Sequence, residues 1–406
     1  MIRRDYLIIG AGVGGASVCE GIREHDKKGS VMLVGNEVVP PYHRPLLFEN
    51  FLNGQNPPPP MEKVQQHDLA WFKENNIDLR LDTLVTQFNV ERHLAVLSNG
   101  QAVEFKKACL ATGSRARRPQ VAGYNLGNIM YLRSWRDVLA LREMLDYEKE
   151  IVIVGGGYLA AQAATQLVDR PKTKLSILHR GKTLWDDRVD PETAKFLTEQ
   201  FAERGVKMLL GETLNGFEGR TVVKNVQTKS GQRFGADLVI VCIGCDPNLA
   251  LVAGTPLAYP HGTPVNELLE TDEKGIYAVG DIAAYPCRIL GGVRRFEYWE
   301  CAMEQGRVAG QNMTGKKRIK FEYVPHCTAQ ALDMHFDLVG DFSKPPLRFE
   351  IEGDRAKKQF VARYYQPSGL MGILLCNQPK EQVEAAKEQL RTAPRSSKKE
   401  PAMAVA

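Results

Sequence analysis

No stretch of the chain is apolar over the length needed to cross a bilayer. The first apolar run leads straight into a glycine turn, so the N-terminus lacks the apolar core of a signal peptide, and a cytoplasmic location is expected. Metal-ligand clusters are missing as well. The eight cysteines, at 19, 109, 242, 245, 287, 301, 327 and 376, are scattered. Cys242 and Cys245 form a C-x-x-C at the end of an apolar strand, without the second pair or the spaced histidines that zinc requires. Buried small thiols in a reducing compartment are expected instead. Neither charge sign dominates: 53 basic against 48 acidic side chains leave +5, which allows an acidic partner but gives no argument for nucleic acid. The remaining composition, 43% apolar and 25% charged over 406 residues, is that of a globular protein of two or three domains.

What is present begins at Asp5-Tyr-Leu-Ile-Ile-Gly-Ala-Gly-Val-Gly-Gly15. A short apolar strand runs into Gly10, Gly12 and Gly15, the G-x-G-x-x-G spacing, with Gly14 inside the same turn, and Ala16 to Arg23 can continue as a helix. Gly10 allows the tight strand-to-helix turn, Gly12 lets a pyrophosphate approach the backbone, and Gly15 lets helix and strand pack closely. The helix N-terminus offers unpaired N–H groups to the phosphates. A second apolar run, Val31 to Val34, leads to Glu37, where a carboxylate accepts from adenosine ribose hydroxyls.

The pattern then repeats. Glu150-Ile-Val-Ile-Val-Gly-Gly-Gly-Tyr-Leu-Ala160 is again a strand followed by Gly155, Gly157 and Ala160, with Tyr158 and Leu159 opening a helix through Gln166. Two fingerprints in one chain are far more specific than one. They imply two dinucleotides, a tightly held redox cofactor and a diffusible one. The strand after the second turn, Lys174 to Leu178, ends not in an acid but in His179-Arg180, followed by Lys182. Basic residues favour a 2′-phosphate, so NADPH is expected over NADH at this second site.

Other segments end in small or acidic residues suited to the same ligands. Ala108-Cys-Leu-Ala111-Thr112-Gly113-Ser114 is a buried strand whose end returns to the first turn. Gly275-Ile-Tyr-Ala-Val-Gly280-Asp281 puts an aspartate at a strand end, able to hold a polyhydroxylated chain. Gly244 lies in the turn closing the strand 238–243, and a helix is expected over 296–312, carrying Trp299. Alternating segments at 335–340, 347–352, 359–365 and 370–376 indicate an antiparallel sheet, followed by a helix at 379–391 and a disordered tail from Thr392.

With Gly10/Gly12/Gly15, Ala111-Thr112-Gly113, Gly155/Gly157 and Ala278-Val-Gly-Asp281 in this order, the chain resembles the pyridine nucleotide–disulfide oxidoreductase superfamily. Pro41-Tyr-His-Arg-Pro45, Trp299-Glu-Cys-Ala-Met-Glu-Gln-Gly306 and Gly310-Gln-Asn-Met-Thr-Gly315 are similar to its ferredoxin/rubredoxin reductase and apoptosis-inducing-factor-like branch. The resemblance covers roughly residues 5–390. It implies an α/β fold with an FAD-binding Rossmann-like domain (1–125 and 247–320), an NAD(P)-binding one inserted in it (126–246), and a C-terminal α+β interface domain (321–391) before the tail 392–406. It also implies that Gly10, Gly12, Gly14 and Gly15 hold the FAD pyrophosphate, Glu37 its ribose, and Arg44 and Pro45 its nucleotide part. Ala111, Thr112, Gly113, Gly280 and Asp281 would flank the same cofactor, and Trp299 would approach the isoalloxazine. Gly155, Gly157, Tyr158, Leu159, Ala160, His179, Arg180 and Gly244 would hold NADPH or NADH.

Three departures surround the expected redox centre. The branch's R-P-P-L-S-K lysine is Glu49 here, the glutamate of its second turn is Gln162, and its aromatic F-W-S-D-like run is His326-Cys-Thr328-Ala-Gln330. No C-x4-C stands near residues 38–60, which argues against dithiol reduction. The resemblance thus implies hydride transfer from NAD(P)H to FAD and onward transfer to a small acidic carrier such as a ferredoxin or rubredoxin. Arg117, Arg118, Arg294, Arg295 and Lys316-Lys-Arg-Ile-Lys320 are candidate docking residues. The alternatives are a quinone or oxygen reductase, or a nucleotide-sensing flavoprotein with weak turnover. A homodimer stays open.

Overall fold

Runs of Val, Ile and Leu without polar interruption form strands that parallel sheets bury on both faces. In the computed structural model, which describes residues 1–47, 60–147 and 150–394, the first such sheet is centred on Ile2–Ile9. Val31–Val34 and then Ile77–Arg80 lie parallel on one side of it, and Ala102–Leu110 on the other. Ile276–Ala278 pairs in parallel with the C-terminal half of Ala102–Leu110, and the hairpin Val85–Asn89/Leu94–Leu97 joins its N-terminal half in antiparallel fashion. Every residue of Val31–Val34 is buried. This sheet belongs to one compact unit, made of Met1–Arg44, Pro60–Arg115 and Asp246–Pro325.

Two helices of that unit cross at unusually short range. Val13–His25 and Trp299–Met313 meet through Gly14, Gly21, Gly306 and Gly310. A Cβ on Gly21 would collide with Arg307 O, and one on Gly310 with Val18 O. The glycines thus bring the Trp299 helix directly against the helix that follows the first glycine turn. The second helix begins at Trp299 rather than at the expected residue 296.

A second unit contains Ala116–Cys245 and the chain from His326 onward. Its parallel sheet runs Lys207–Leu210, Lys174–His179, Glu150–Val154, Leu238–Val241, Ile129–Met130. Ile129, Val152, Val154, Leu178, Val239 and Val241 form a core with Phe217, Val223 and Val226 from the antiparallel sheet Leu214–Gly219/Val223–Thr228/Arg233–Gly235. The same unit holds an antiparallel five-stranded sheet of order His326–Ala331, Met334–Gly340, Gly369–Cys376, Gln359–Gln366, Arg348–Asp354.

Helix Trp135–Leu145 is absent from the sequence-based expectation, although Ser134-x-x-Asp137 spells its capping box. Thr392, expected to open the tail, instead closes helix Lys380–Thr392, and positions 395–406 lie outside the described residues.

Candidate functional site

Gly10 ends the first strand with φ +118°, in the left-handed region that favours glycine, and a Cβ there would collide with Ala111 O. Gly12 is the N-cap of helix Val13–His25; no side chain caps it, and the first turn carries no acid. Nothing lies within 4 Å of a Cβ position on Gly12. Gly15 is the opposite case, since its Cβ would collide with Gly10 O. The turn thus presents an open, uncapped helix end with its own backbone packed tightly behind it. That arrangement suits an anion.

Distant segments complete this first turn. Ala111 N–H donates to Ile9 O (2.8 Å). Thr112 and Gly113 are clamped by Asn248: its Nδ2 donates to Thr112 O (2.8 Å), its N–H donates to Gly113 O (2.9 Å), and its carbonyl accepts from Thr112 Oγ1 (3.1 Å). Asp281 is buried, accepts from Ser114 Oγ (2.6 Å), and has its carbonyl bound by Arg295 (2.8 Å). Gly280 N–H donates to the buried Oε1 of Gln305 (2.7 Å). Gly14 lies against Val279 and Ala302, so the turn, the Gly280-Asp281 end and the Trp299 helix converge. Trp299 opens that helix and meets the His43 ring edge-on at 5.1 Å. Burial, and then the neighbouring His67, push the His43 pKa down, so its imidazole is held towards the neutral form.

Glu37 is already engaged. Its Oε2 accepts from Tyr42 OH (2.7 Å) and its Oε1 pairs with Arg44 (2.5 Å), while Arg44 also donates to Tyr42 OH (2.6 Å). Each carboxylate oxygen retains a second lone pair for a ribose hydroxyl. Arg44 and Pro45 begin a short 3-10 turn, Arg44–Leu47. Glu49 lies outside the described residues.

The second turn repeats the first. Gly155 has φ +128° and packs where a Cβ would collide with Cys242 O. Gly157 is an uncapped N-cap whose Cβ position has Arg188 Nε as its nearest neighbour, at 4.0 Å. Tyr158 and Leu159 open the helix Tyr158–Leu167, and Ala160 is fully buried behind the turn. Gly244 has φ +101° and accepts from Arg117 N–H (2.9 Å). Of the two basic strand-end residues, Arg180 is exposed, whereas His179 is half-buried with Nε2 3.2 Å from Asp186 Oδ1.

Gln162 is half-buried on helix Tyr158–Leu167, which is joined to the C-terminal sheet by the bond from Leu332 N–H to Thr165 Oγ1 (2.7 Å). Thr328 is exposed on the strand His326–Ala331, opposite Asp337. That strand carries a buried histidine–carboxylate contact instead of an aromatic run: His326 Nε2 is 2.8 Å from Asp337 Oδ1, with the exposed His335 3.5 Å from Oδ2.

The sequence reading missed Asn248, Asp186 and Arg188. Asn248 and Arg188 reach their turns from elsewhere in the chain, while Asp186 turns back on the strand end that it follows by a few residues.

The chain matches the pyridine nucleotide-disulphide oxidoreductase family over residues 4–306. It belongs to that family. Over 383 residues it is 29% identical to putidaredoxin reductase of Pseudomonas putida, covering 93% of this chain and 89% of that one. Over 405 residues it is 28% identical to the peroxisomal monodehydroascorbate reductase 4 of Arabidopsis thaliana, covering 96% of this chain and 82% of the relative. The covalent putidaredoxin reductase–putidaredoxin complex contains a similar fold, with TM-score 0.88 and 28% identity over 96% of this chain and 94% of that one. The α/β architecture, the oxidoreductase class and dependence on FAD and NAD(P)H follow. The residues present fit both ligands: the open space at Gly12 and Gly157 accepts a pyrophosphate at each uncapped helix end. Among the described residues no group of side chains is arranged to hold a metal, and no helix is long and apolar enough to cross a membrane.

Proposed function

We propose that the chain is a cytoplasmic NAD(P)H-dependent flavoprotein reductase that delivers electrons to a small acidic redox protein of the ferredoxin or rubredoxin kind. The observation that carries this reading is the pair of uncapped helix N-termini, at Gly12 and Gly157, each behind a positive-φ glycine. FAD, when bound, takes hydride from a nicotinamide and gives electrons up singly or in pairs. The chain's own work is to bind and to orient. Gly10–Gly15 would hold the pyrophosphate, Glu37 the ribose and Asp281 the ribityl chain, with Asn248 and Gln305 fixing the backbone around them. Gly155–Ala160 would hold the reducing nucleotide, with Arg188 beside its phosphates. Putidaredoxin reductase and rubredoxin reductase among the relatives support the protein acceptor.

Anaerobic mixing with NADH or NADPH tests the first half of this reading: rapid loss of flavin absorbance supports it, and a flavin that stays oxidised removes it. Supplying a ferredoxin, a rubredoxin, a quinone or oxygen in the second syringe identifies the acceptor. A small-molecule acceptor is the second reading, favoured by the monodehydroascorbate reductase relative. It predicts turnover with monodehydroascorbate in the absence of any carrier protein.

A further inference from the structure

The two glycine turns can be aligned by their hydrogen bonds. Gly10 N–H donates to Val34 O (2.8 Å) and Gly155 N–H to Leu178 O (2.9 Å), so Val34 corresponds to Leu178. The next positions agree, since Ala11 packs on Gly35 as Gly156 packs on His179. Three residues beyond Val34 stands Glu37, and three beyond Leu178 stands Gly181. The position that carries a carboxylate in the first turn therefore has no side chain in the second. A carboxylate five residues further along the same turn, Asp186, fills that place instead. A Cβ on Gly181 would collide with Asp186 Oδ2 and lie 2.5 Å from Cγ and Oδ1. Lys182 N–H donates to Oδ2 (2.9 Å) and His179 Nε2 lies 3.2 Å from Oδ1, which fixes the group in place. Arg180, the basic residue expected to favour a 2′-phosphate, is exposed.

We propose that Asp186 reads the adenosine ribose at the second nucleotide site and makes that site selective for NADH over NADPH. The inference rests on the second turn binding a pyridine nucleotide. A carboxylate accepts from both ribose hydroxyls and repels a 2′-phosphate. His179 acts as a positioning residue, holding the carboxylate over the space that Gly181 leaves open.

Calorimetric titration of the flavin-loaded protein with ADP-ribose, and with its 2′-phosphorylated form, reads this selectivity without turnover. Wild type is expected to bind ADP-ribose about tenfold more tightly or better. D186N is expected to erase about tenfold of that preference, and R180A to leave it within about twofold. Thermal melting identifies a D186N protein that has lost its fold, and D186S then carries the same comparison. A wild-type preference for the 2′-phosphorylated ligand, or a ratio unchanged in a well-folded Asp186 variant, overturns the inference. Failure of both ligands to bind overturns the nucleotide reading itself, and this inference with it.

Discussion

Gly10 and Gly12 sit two residues apart and answer to different physics. At Gly10 the positive φ and the contact with Ala111 belong to the fold, so Gly10→Ala is expected to cost roughly 3 kcal/mol or more and to lower both Tm and flavin content. At Gly12 the space is open, so Gly12→Ala is expected to leave the stability of the flavin-free protein unchanged while weakening flavin retention. Melting curves with and without added FAD separate the two; equal effects in both variants would contradict the assignment. Asp5 makes a pH-dependent contribution of another kind. Its pKa is held down to about 2, first by the hydrogen bond from Lys106 and then by Ser30, which donates through N–H and Oγ at 2.8 Å each. A depressed carboxylate pKa stabilises the fold above its ordinary value of 3.8 and loses that contribution as pH falls towards 2. The Tm gap between wild type and Asp5→Asn should therefore be present at pH 6 and close between about pH 4 and pH 2.

Whole elements are held by contacts that no local spacing reveals. The helix Pro191–Glu203 begins at Asp190, a fully buried aspartate that caps Thr193 N–H (2.9 Å), pairs with Arg355 (3.0 Å) and accepts from Tyr364 OH (2.8 Å). These bonds fasten the helix to strand Gln359–Gln366 and the chain that leads into it, and Trp185, which packs on Tyr158 (4.9 Å), reaches the same sheet through Phe336 (5.1 Å). Asp190→Ala removes the cap and leaves the Arg355 charge without its buried partner, so a loss of roughly 3 kcal/mol in chemical denaturation is expected. Tyr364→Phe should cost about 2 kcal/mol, because one hydrogen bond to a carboxylate is lost and the ring stays. The helix itself was legible in Asp190-Pro191, whose capping chemistry is local, whereas the clamp was not, because Arg355 and Tyr364 lie more than 150 residues on. The same division holds at the candidate site. The glycine turns and Asp281 are visible from spacing and strand ends, while Asn248 arrives through tertiary folding. At the second strand end the residues His179-Arg180 are legible, but the contact of His179 with Asp186 depends on how the turn between them closes.

Taken whole, the molecule uses one βαβ device twice and makes the two copies different through what surrounds them. The first is enclosed by Ala111–Ser114, Asn248, Gly280-Asp281 and the Trp299 helix, as a resident cofactor requires. The second has exposed residues at its strand end, as an exchanging substrate requires. The proposed delivery of electrons to a carrier would be a property of the surface, and in the first unit Arg294, Arg295 and the segment 316–320 are the candidate basic groups. Part of that charge is committed internally. Arg295 binds Glu297 (2.8 Å), Lys320 pairs with Glu267, and Lys316 donates to His25 O (2.6 Å). Lys317 and Arg318 are exposed, so the steering effect is expected to be moderate. Raising salt from about 0.05 to 0.5 M, which shortens the screening length to a few ångströms, should slow reduction of an acidic carrier several-fold while leaving flavin reduction by nucleotide unaffected. Lys317→Glu with Arg318→Glu should reproduce that slowing at low salt and flatten the salt response. Stopped-flow traces of the two half-reactions check both statements. A carrier rate indifferent to salt and to the double substitution would move the docking surface away from this segment.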